Sequence, residues 1–490
     1  MTKLETAASS APRVHAHDRR WFALIVLCLG VLMIVLDTTI VNVALPSIKS
    51  DLGFSETSLA WVVNAYMLTF GGFLLLGGRL GDLFGHRRFF LIGITLFTLA
   101  SLACGIATTQ TFLVAARAIQ GLGGATVTAV ALSLIMDLFT ETGDRAKAMG
   151  VYGFVCAGGG SIGVLLGGLL TGTLDWHWIF LVNLPIGMLV FAMSLGLLPA
   201  GGGSGARRNL DIAGAVTVTA SIMLATYAIV NGNETGWTSA QTLGLLGAAA
   251  VLLGAFLLIE SRVASPLMPL GLFRLRNVAI ANIVGVFWAA AMFAWFFLSA
   301  LYMQLVLGYA PMQVGLAFLP SNLIMAAFSL GLSAKIVMRF GIRLPLAVGL
   351  LLAAAGLLLF ARAPVDGTLV ADVLPGMVLL GLGAGMAFNP VLMAAMSEVG
   401  PEDSGLASGV VNTSFMMGGS LGLALLASLA ASRTASRAAE GLDHVAALAA
   451  GYRVAFFVGA VFAALAAIIG GSLLRTCDAL RSSDVSASVH

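Results

Sequence analysis

The sequence predicts an all-α polytopic membrane protein with fourteen transmembrane helices. Only 10% of its 490 residues are charged and 59% are hydrophobic, whereas soluble globular proteins carry about 25% charged residues. The apolar runs are about 20 residues long, the length that crosses a bilayer as a helix. They do not alternate with period two as barrel strands do. The 59 glycines suit the close helix packing of membrane bundles.

Apolar runs of spanning length follow one another along the whole chain, and we number them as spans 1 to 14. They cover residues 21–46, 57–78, 88–108, 111–136, 147–172, 178–198, 210–231, 240–260, 277–306, 312–336, 343–362, 371–396, 406–431 and 452–474.

The positions of Lys and Arg predict the orientation. If the N-terminus is cytoplasmic, most Lys and Arg residues outside the spans fall in cytoplasmic segments, as the positive-inside rule requires. Residues 1–20 are polar, and the run after them is too long for the apolar part of a signal peptide. We therefore expect cytoplasmic tails at 1–20 and 475–490, on a multi-pass protein of the cell inner (plasma) membrane.

An internal repeat predicts two related halves. QGLGGA at 120–125 is echoed by LGLGAG at 380–385, GGSIG at 159–163 by GGSLG at 418–422, and LFGHR at 83–87 by RFGIR at 339–343. The offsets are nearly constant, and parallel repeats around a central site are a known transporter design. The expected units are an N-terminal six-helix bundle at 21–198, two inserted helices with linkers at 199–276, and a C-terminal six-helix bundle at 277–474.

Four motifs carry a resemblance to a known family. They are LDTTIVNVALP at 36–46, GGRLGDLFGHRR at 77–88, RAIQGLGGA at 117–125 and GVLLGG at 163–168. They resemble signatures of the major facilitator superfamily, specifically its 14-helix drug:proton antiporters of the EmrB/QacA type. The resemblance covers nearly the whole chain and implies a major facilitator fold of two six-helix bundles plus two inserted helices. The chain departs from the antiporter pattern at Val164, where the family usually has Pro, and at His177, where it usually has Arg.

Asp37 is the only acidic residue deep in any predicted span. A carboxylate at mid-membrane is costly and is usually functional, because it can take up a proton from one side and release it to the other. The alternative is a structural Asp that bonds the neighbouring backbone or Asn42.

Arg117 is the only deep cation. At about 1.5 Å per residue, its depth in span 4 matches that of Asp37 in span 1, so we expect a direct or water-bridged pair. Gln120, one turn further on, would complete a polar patch. The family resemblance implies that Asp37 and Arg117 take part in proton coupling, and the alternative is a purely structural ion pair.

The motif between spans 2 and 3 is, by resemblance, a latch that holds the halves together when the site faces outward. Its members here are Gly78, Gly81, Asp82, Gly85, Arg87 and Arg88. We expect Gly78 and Gly81 to let span 2 approach a neighbour closely, and Asp82 to meet Arg87, Arg88 or a helix N-terminus. Met338 lies where the repeat would place a second Asp, so the latch is expected on one side only.

Candidate substrate contacts are neutral polar and aromatic side chains. Trp288, Met292 and Trp295 share one helical face of span 9 and could stack on flat or cationic molecules. The alternative is lipid contact or helix packing. The full set is Asn42, Trp61, Tyr66, Gln120, Trp288, Met292, Trp295, Asn389 and Asn412.

The motifs also exclude other classes of function. The glycines of span 5 lack the preceding strand of a phosphate-binding loop, and the four cysteines show no metal-site or disulfide spacing. We expect neither an enzyme nor a cofactor, a metal site or a nucleic-acid partner. The partners expected are a small-molecule substrate, protons and the lipid bilayer, for a monomer.

The sequence thus predicts a proton-coupled multidrug exporter that works by alternating access. Because one acid and one Arg nearly cancel, its expected substrates are amphipathic, lipophilic or monocationic compounds rather than dications. Two alternatives stay open: an exporter of an endogenous lipid or secreted metabolite on the same fold, and a nontransporting membrane sensor.

Overall fold

The computed structural model describes residues 13–199, 211–263, 266, 268–399 and 404–475. Within these ranges the chain is helical almost throughout, and the helices begin and end close to the predicted spans. They are α1 (Arg13–Leu52), α2 (Trp61–Phe84), α3 (His86–Gly105), α4 (Gln110–Leu138), α5 (Thr142–Thr173), α6 (Trp178–Leu181), α7 (Asn183–Leu197), α8 (Ile212–Thr235), α9 (Ala240–Arg262), α10 (Arg276–Leu301), α11 (Pro311–Ala327), α12 (Ser333–Phe340), α13 (Arg343–Arg362), α14 (Leu374–Met396), α15 (Ser404–Ala439) and α16 (His444–Leu473).

Twelve helices in the described ranges are long and apolar enough to cross a membrane. The two remaining predicted spans, 5 and 10, contain the shorter apolar helical segments Ile162–Thr173 and Pro311–Ala327. The chain is therefore a multi-pass membrane protein, and the total of fourteen spans stays a prediction.

Capping side chains explain where several helices begin. Thr109 Oγ1 accepts a hydrogen bond from Phe112 N at the start of α4. Asp211 Oδ1 accepts one from Gly214 N, at 2.7 Å, at the start of α8. Such caps satisfy backbone N–H groups that have no partner inside the helix.

The two copies of the repeat share local geometry. Gly85, between α2 and α3, has a φ of 100°, and Gly341, between α12 and α13, has a φ of 74°. Both values lie in the left-handed region that favours glycine. The loops LFGHR and RFGIR therefore share a glycine with positive φ at the corresponding position.

Glycines also produce the same helix crossings in both copies. A Cβ added at Gly123 in α4 would lie 2.6 Å from Phe97 N in α3. A Cβ added at Gly383 in α14 would lie 2.6 Å from Gly349 O in α13. Backbones approach this closely only where no side chain intervenes.

We refer to α1–α7 as the N-terminal half, to α8 and α9 as the inserted hairpin, and to α10–α16 as the C-terminal half. The halves meet where α5 packs against α11 and where α2 packs against α15. Helix α8 packs against α9, α2 and α15, so the inserted hairpin contacts both halves. The domain boundaries at residues 198, 276 and 474 stay predictions.

The glycine crossings give a test of the packing. We expect Gly123→Ala to lower the melting temperature of the detergent-purified protein, because overpacking a close contact costs about 1–3 kcal/mol. Gly254→Ala in α9 is the matched control. A Cβ at Gly254 meets nothing within 4 Å, and Ala favours a helix, so this variant should melt no lower than the wild type. Equal melting temperatures for both variants would contradict the close crossing.

Candidate functional site

Asp37 lies in the interior of the N-terminal half with no exposed surface. Three side chains donate hydrogen bonds to its carboxylate. Arg117 Nη1 lies 2.5 Å from Oδ2, while Gln120 Nε2 and Asn183 Nδ2 lie 2.7 Å and 3.2 Å from Oδ1. The predicted contact between Asp37 and Arg117 is therefore direct.

Arg117 is held from several sides. Besides Asp37, its Nη1 contacts Gln120 Oε1 at 2.6 Å, and its Nε donates to Val62 O at 2.9 Å. The guanidinium carbon lies 4.4 Å from the ring centre of Tyr66, a cation–π distance. The side chain is 1% exposed, so the charge is neutralised entirely within the protein.

Gln120 links the ion pair to α3. Its Nε2 donates both to Asp37 and to Ser101 Oγ, the latter at 2.8 Å. Its Oε1 accepts from Arg117, and Cys104 Sγ lies 3.7 Å away. Every hydrogen-bonding atom of this amide is thus used, which fixes its orientation.

Asn183 and Ser101 belong to the same network, although sequence reasoning missed them. Asn183 Nδ2 contacts both Asp37 Oδ1 and Ser101 Oγ. The only signal was a polar residue inside the apolar stretch FLVNLPIG, at 180–187. Asn183 Oδ1 has no hydrogen-bond partner among the described residues.

This arrangement places a buried carboxylate against one guanidinium and two amide groups. Burial of a charged pair is tolerated when the geometry is good and the remaining lone pairs are satisfied, as they are here. Protonation of Asp37 would remove the ion pair. Arg117 would keep Gln120 Oε1 and Val62 O as acceptors, so neither state leaves the cation unpaired. The role of the pair in proton coupling stays a prediction.

All the hydrogen-bond partners of Asp37 described above come from the N-terminal half. We expected the substrate to bind between the halves and to compete electrostatically with the proton. In this conformation the ion pair is enclosed by α2, α3, α4 and α7, and its competition with a substrate stays a prediction.

The candidate substrate contacts of α1 and α2 lie in different surroundings. Asn42 Nδ2 donates to Thr38 O and Thr39 O within its own helix, so the alternative in which Asn42 bonds Asp37 is wrong. Tyr66 lies under Arg117 and stacks on Phe70. Trp61 is half-buried, with its ring 6.4 Å from that of Tyr227 in α8.

The aromatic face of α10 is turned into the protein. Trp288 and Trp295 are 1% and 0% exposed, so the lipid-contact alternative is wrong for both. Trp295 packs against Phe318 of α11, with 6.2 Å between ring centres. Met292, Asn389 and Asn412 are half-buried. Whether any of these residues touches a substrate stays a prediction.

The α2–α3 motif packs more tightly at some predicted positions than at others. A Cβ at Gly81 would lie 2.9 Å from Val130 Cγ2, but one at Gly78 would lie 3.6 Å from Ala129 Cβ, an ordinary contact. Gly78 is therefore not a close-approach position, because it is rotated away from the tightest contact with α4. Gly77, whose Cβ would lie 3.0 Å from Thr126 Cα, takes that place.

The charged residues of this motif differ in their surroundings. Arg87 donates to Leu195 O near the end of α7, within the N-terminal half, and Arg88 is exposed. The side chain of Asp82 lies outside the described part of the structure, so its expected contacts with Arg87 or Arg88 stay predictions, as does the latch.

The glycines of the α5 motif bring α5 against α1 beside Asp37. A Cβ at Gly163 would lie 2.9 Å from Leu36 O, and one at Gly167 would lie 2.6 Å from Ile40 O. Val164, in the position of the family Pro, is buried, and its carbonyl oxygen faces Gly315 of α11. The motif therefore connects the Asp37 helix to the other half.

His177, in the position of the family Arg, lies directly before the first residue of span 6. Its ring stacks on Trp176 at 3.8 Å, and its Nδ1 lies 3.1 Å from Asp175 Oδ1. Among the described residues no cluster of three or more His, Cys, Asp or Glu side chains could hold a metal ion.

Comparisons with known proteins agree with this architecture. Residues 27–423 match the model of the Major Facilitator Superfamily. The chain is 39% identical to the puromycin resistance protein of Streptomyces alboniger, over 98% of this chain and 97% of that protein. It is 38% identical to the cephamycin export protein of Amycolatopsis lactamdurans, over 89% of this chain and 90% of that protein. The fold resembles the xylose transporter XylE from E. coli in a partially occluded inward-open conformation, with a TM-score of 0.63, 15% identity, and coverage of 94% of this chain and 99% of that one.

The buried pair gives a stability test. Arg117→Met would leave the Asp37 carboxylate buried without its cation, which costs about 3–5 kcal/mol. We expect this variant to melt well below the wild type, and Asp37→Asn in the same background to recover much of the loss. Arg437→Met is the control, because it breaks the surface pair with Glu440, for which about 0–1 kcal/mol is expected. Thermal melting in detergent measures all three variants, and an equal loss in the single and double variants would show that charge burial is not the cause.

Proposed function

The chain belongs to the Major Facilitator Superfamily, and on this premise we propose that it is a proton-coupled drug exporter that works by alternating access. Members of this family are transporters and not enzymes. The observation that carries the proposal is the Asp37–Arg117 pair, the one fully buried ion pair among the described residues. Ionisable residues inside a membrane bundle are expensive and mark proton or substrate pathways.

The proposed coupling uses exchange of partners at Asp37. When Asp37 is charged, Arg117 binds it and holds α1 to α4. When Asp37 is protonated, Arg117 keeps only Gln120 and the Val62 carbonyl, and α1 is held less strongly. Because α5 packs on α1 through Gly163 and on α11 through Gly168, a shift of α1 reaches the interface between the halves. Protonation thereby biases the equilibrium between two orientations of the halves.

In the conformation described here, the halves are joined at the end that we infer to be extracellular. Gln304 Nε2 of the C-terminal half donates to Val43 O of α1 at 2.9 Å. Tyr452 Oη lies 3.5 Å from Glu56 Oε2. We infer that the transporter lies in the cell inner (plasma) membrane as a monomer of fourteen spans, with both termini cytoplasmic.

The proposed substrates are amphipathic, lipophilic or monocationic compounds. Two relatives are named for resistance to puromycin and for export of cephamycin. Within the Asp37 network one carboxylate is balanced by one guanidinium, so no second acid there would neutralise a dication. An unpaired charge in a low-dielectric site is costly, which favours neutral and singly charged compounds.

A second candidate function uses the same fold. The cephamycin export relative supports export of a secreted metabolite made by the cell itself. The transport chemistry would be the same, and only the physiological cargo would differ.

Loss of the titratable group tests the coupling. In inside-out vesicles, we expect Asp37→Asn to abolish puromycin uptake driven by an imposed pH gradient, because the side chain keeps its size but loses its proton site. Movement of puromycin down its own concentration gradient, without an imposed pH gradient, should persist. Asp175→Asn, which changes an exposed acid beside His177, is the control and should transport normally. Uptake by Asp37→Asn that still depends on the pH gradient would rule out Asp37 as the coupling group.

A further inference from the structure

Several buried polar side chains have atoms without a hydrogen-bond partner among the described residues, and three of these side chains lie on the helices where the two halves and the inserted hairpin meet. They are Asn64 in α2, Thr226 in α8 and Ser420 in α15, and each is 0% exposed. The unpaired atoms are both Oδ1 and Nδ2 of Asn64, Oγ1 of Thr226 and Oγ of Ser420. Buried polar groups in proteins are nearly always paired, so three unpaired side chains require an explanation.

The three side chains lie at one depth. Trp61 of α2 contacts Tyr227 of α8. Counted from this contact toward the middle of the membrane, Asn64 lies three residues beyond Trp61 and Thr226 one residue beyond Tyr227. Their depths therefore agree to about 3 Å. Asn233 Nδ2 of α8 bonds Ser428 O of α15 at 2.7 Å.

Measured from that hydrogen bond, Thr226 lies seven residues inward and Ser420 eight residues inward. Their depths therefore agree to about 2 Å. All three positions lie at the same level of the bundle.

The three side chains also face the same junction. Thr226 lies seven residues from both Thr219 and Asn233 and shares their helix face. A Cβ at Gly72 of α2 would lie 1.8 Å from Thr219 Oγ1, and Asn233 contacts α15, so this face of α8 covers the seam between the halves.

Asn64 and Ser420 lie on the faces of α2 and α15 that pack together at that seam. Asn64 lies seven residues before Gly71, whose Cβ would lie 2.8 Å from Met416 Cβ of α15. Ser420 is one turn after Met416. Asn64 and Ser420 thus lie on the facing surfaces of α2 and α15, which belong to different halves.

The hydroxyls at this junction differ from those that bond a carbonyl of their own helix. Thr217 Oγ1 donates to Ala213 O at 2.7 Å and Ser194 Oγ to Val190 O at 2.6 Å, both within their own helices. Thr226 and Ser420 make no such bond, although the same acceptors are available one turn back. Their hydroxyls have no partner among the described residues and are free to bind a third group.

We propose that this junction, formed by Asn64, Thr226 and Ser420, binds a neutral hydrogen-bonding group of the exported compound, such as an amide, carbonyl or hydroxyl. The inserted hairpin is then part of the substrate site. This inference rests on the proposed export function. None of the three side chains is charged. The Asn64 side chain offers both a donor and an acceptor, which can pair with the acceptor and the donor of an amide in the substrate.

The junction is separate from the ion pair. Val62 and Tyr66 contact Arg117, whereas Asn64 lies between them in sequence and on the opposite face of α2. Proton binding and recognition of the neutral group therefore use different surfaces of one helix.

Binding of two probes tests the proposal. Puromycin carries amide and hydroxyl groups, while tetraphenylphosphonium has none. We expect Thr226→Val and Asn64→Leu in the purified full-length protein in nanodiscs to weaken puromycin binding about five- to tenfold, the effect of one lost hydrogen bond. Tetraphenylphosphonium binding should not change. Thr217→Val in the same helix is the matched control and should bind both probes like the wild type.

Thermal melting separates recognition from folding. Because the Thr226 hydroxyl has no partner, Val of nearly the same shape should leave the melting temperature equal or higher. The proposal is overturned if the wild type binds no puromycin, if Thr226→Val changes neither probe, or if it weakens both probes equally. Binding without transport of puromycin by the wild type would contradict the export function and leave the junction supported.

Discussion

The rest of the structure depends on one constraint, the burial of the Asp37–Arg117 pair inside the N-terminal half. Two charges without solvent need close contact and a full set of hydrogen bonds. Gln120, Asn183 and the Val62 carbonyl supply them. Gln120 lies on α4 beside Arg117, and the other two groups lie on two further helices, α7 and α2. The pair therefore fixes how α1, α2, α4 and α7 are placed, and a change in its charge alters contacts of all four helices.

Glycine determines how that effect reaches the other half. Membrane helices gain little from burying apolar side chains against each other, so close backbone approach and dispersion hold them together. Gly163 and Gly167 bring α5 onto α1 beside Asp37, and Gly168 brings α5 onto Pro311 of α11. One short glycine motif thus connects the ionisable site with the interface between the halves, which would slide or separate in the proposed alternating-access cycle.

Much of this arrangement could be predicted from the sequence, for specific reasons. Asp37 and Arg117 stood out because charges in apolar runs are rare, and the regular rise of a helix gave their depths. Asn183 and Ser101 were missed because neutral polar residues are common in spans and only the tertiary packing brings them together. The same limit applies to rotation about the helix axis. The sequence placed Trp288 and Trp295 on one face but not toward protein or lipid, and it selected Gly78 where Gly77 makes the tighter contact.

Helix α2 joins the buried ion pair and the proposed substrate junction. Its Val62 carbonyl and Tyr66 ring hold Arg117 on one side, and its Gly71 backs onto α15 on the other. A helix transmits a small displacement along its whole length because its backbone hydrogen bonds make it stiff. If protonation of Asp37 lets Arg117 shift, the Val62 carbonyl that binds Arg117 shifts with it. The opposite face of α2, which packs against α15, then moves as well. Coupling between proton and cargo then needs no direct contact between them, only differential binding in the two orientations of one rigid element.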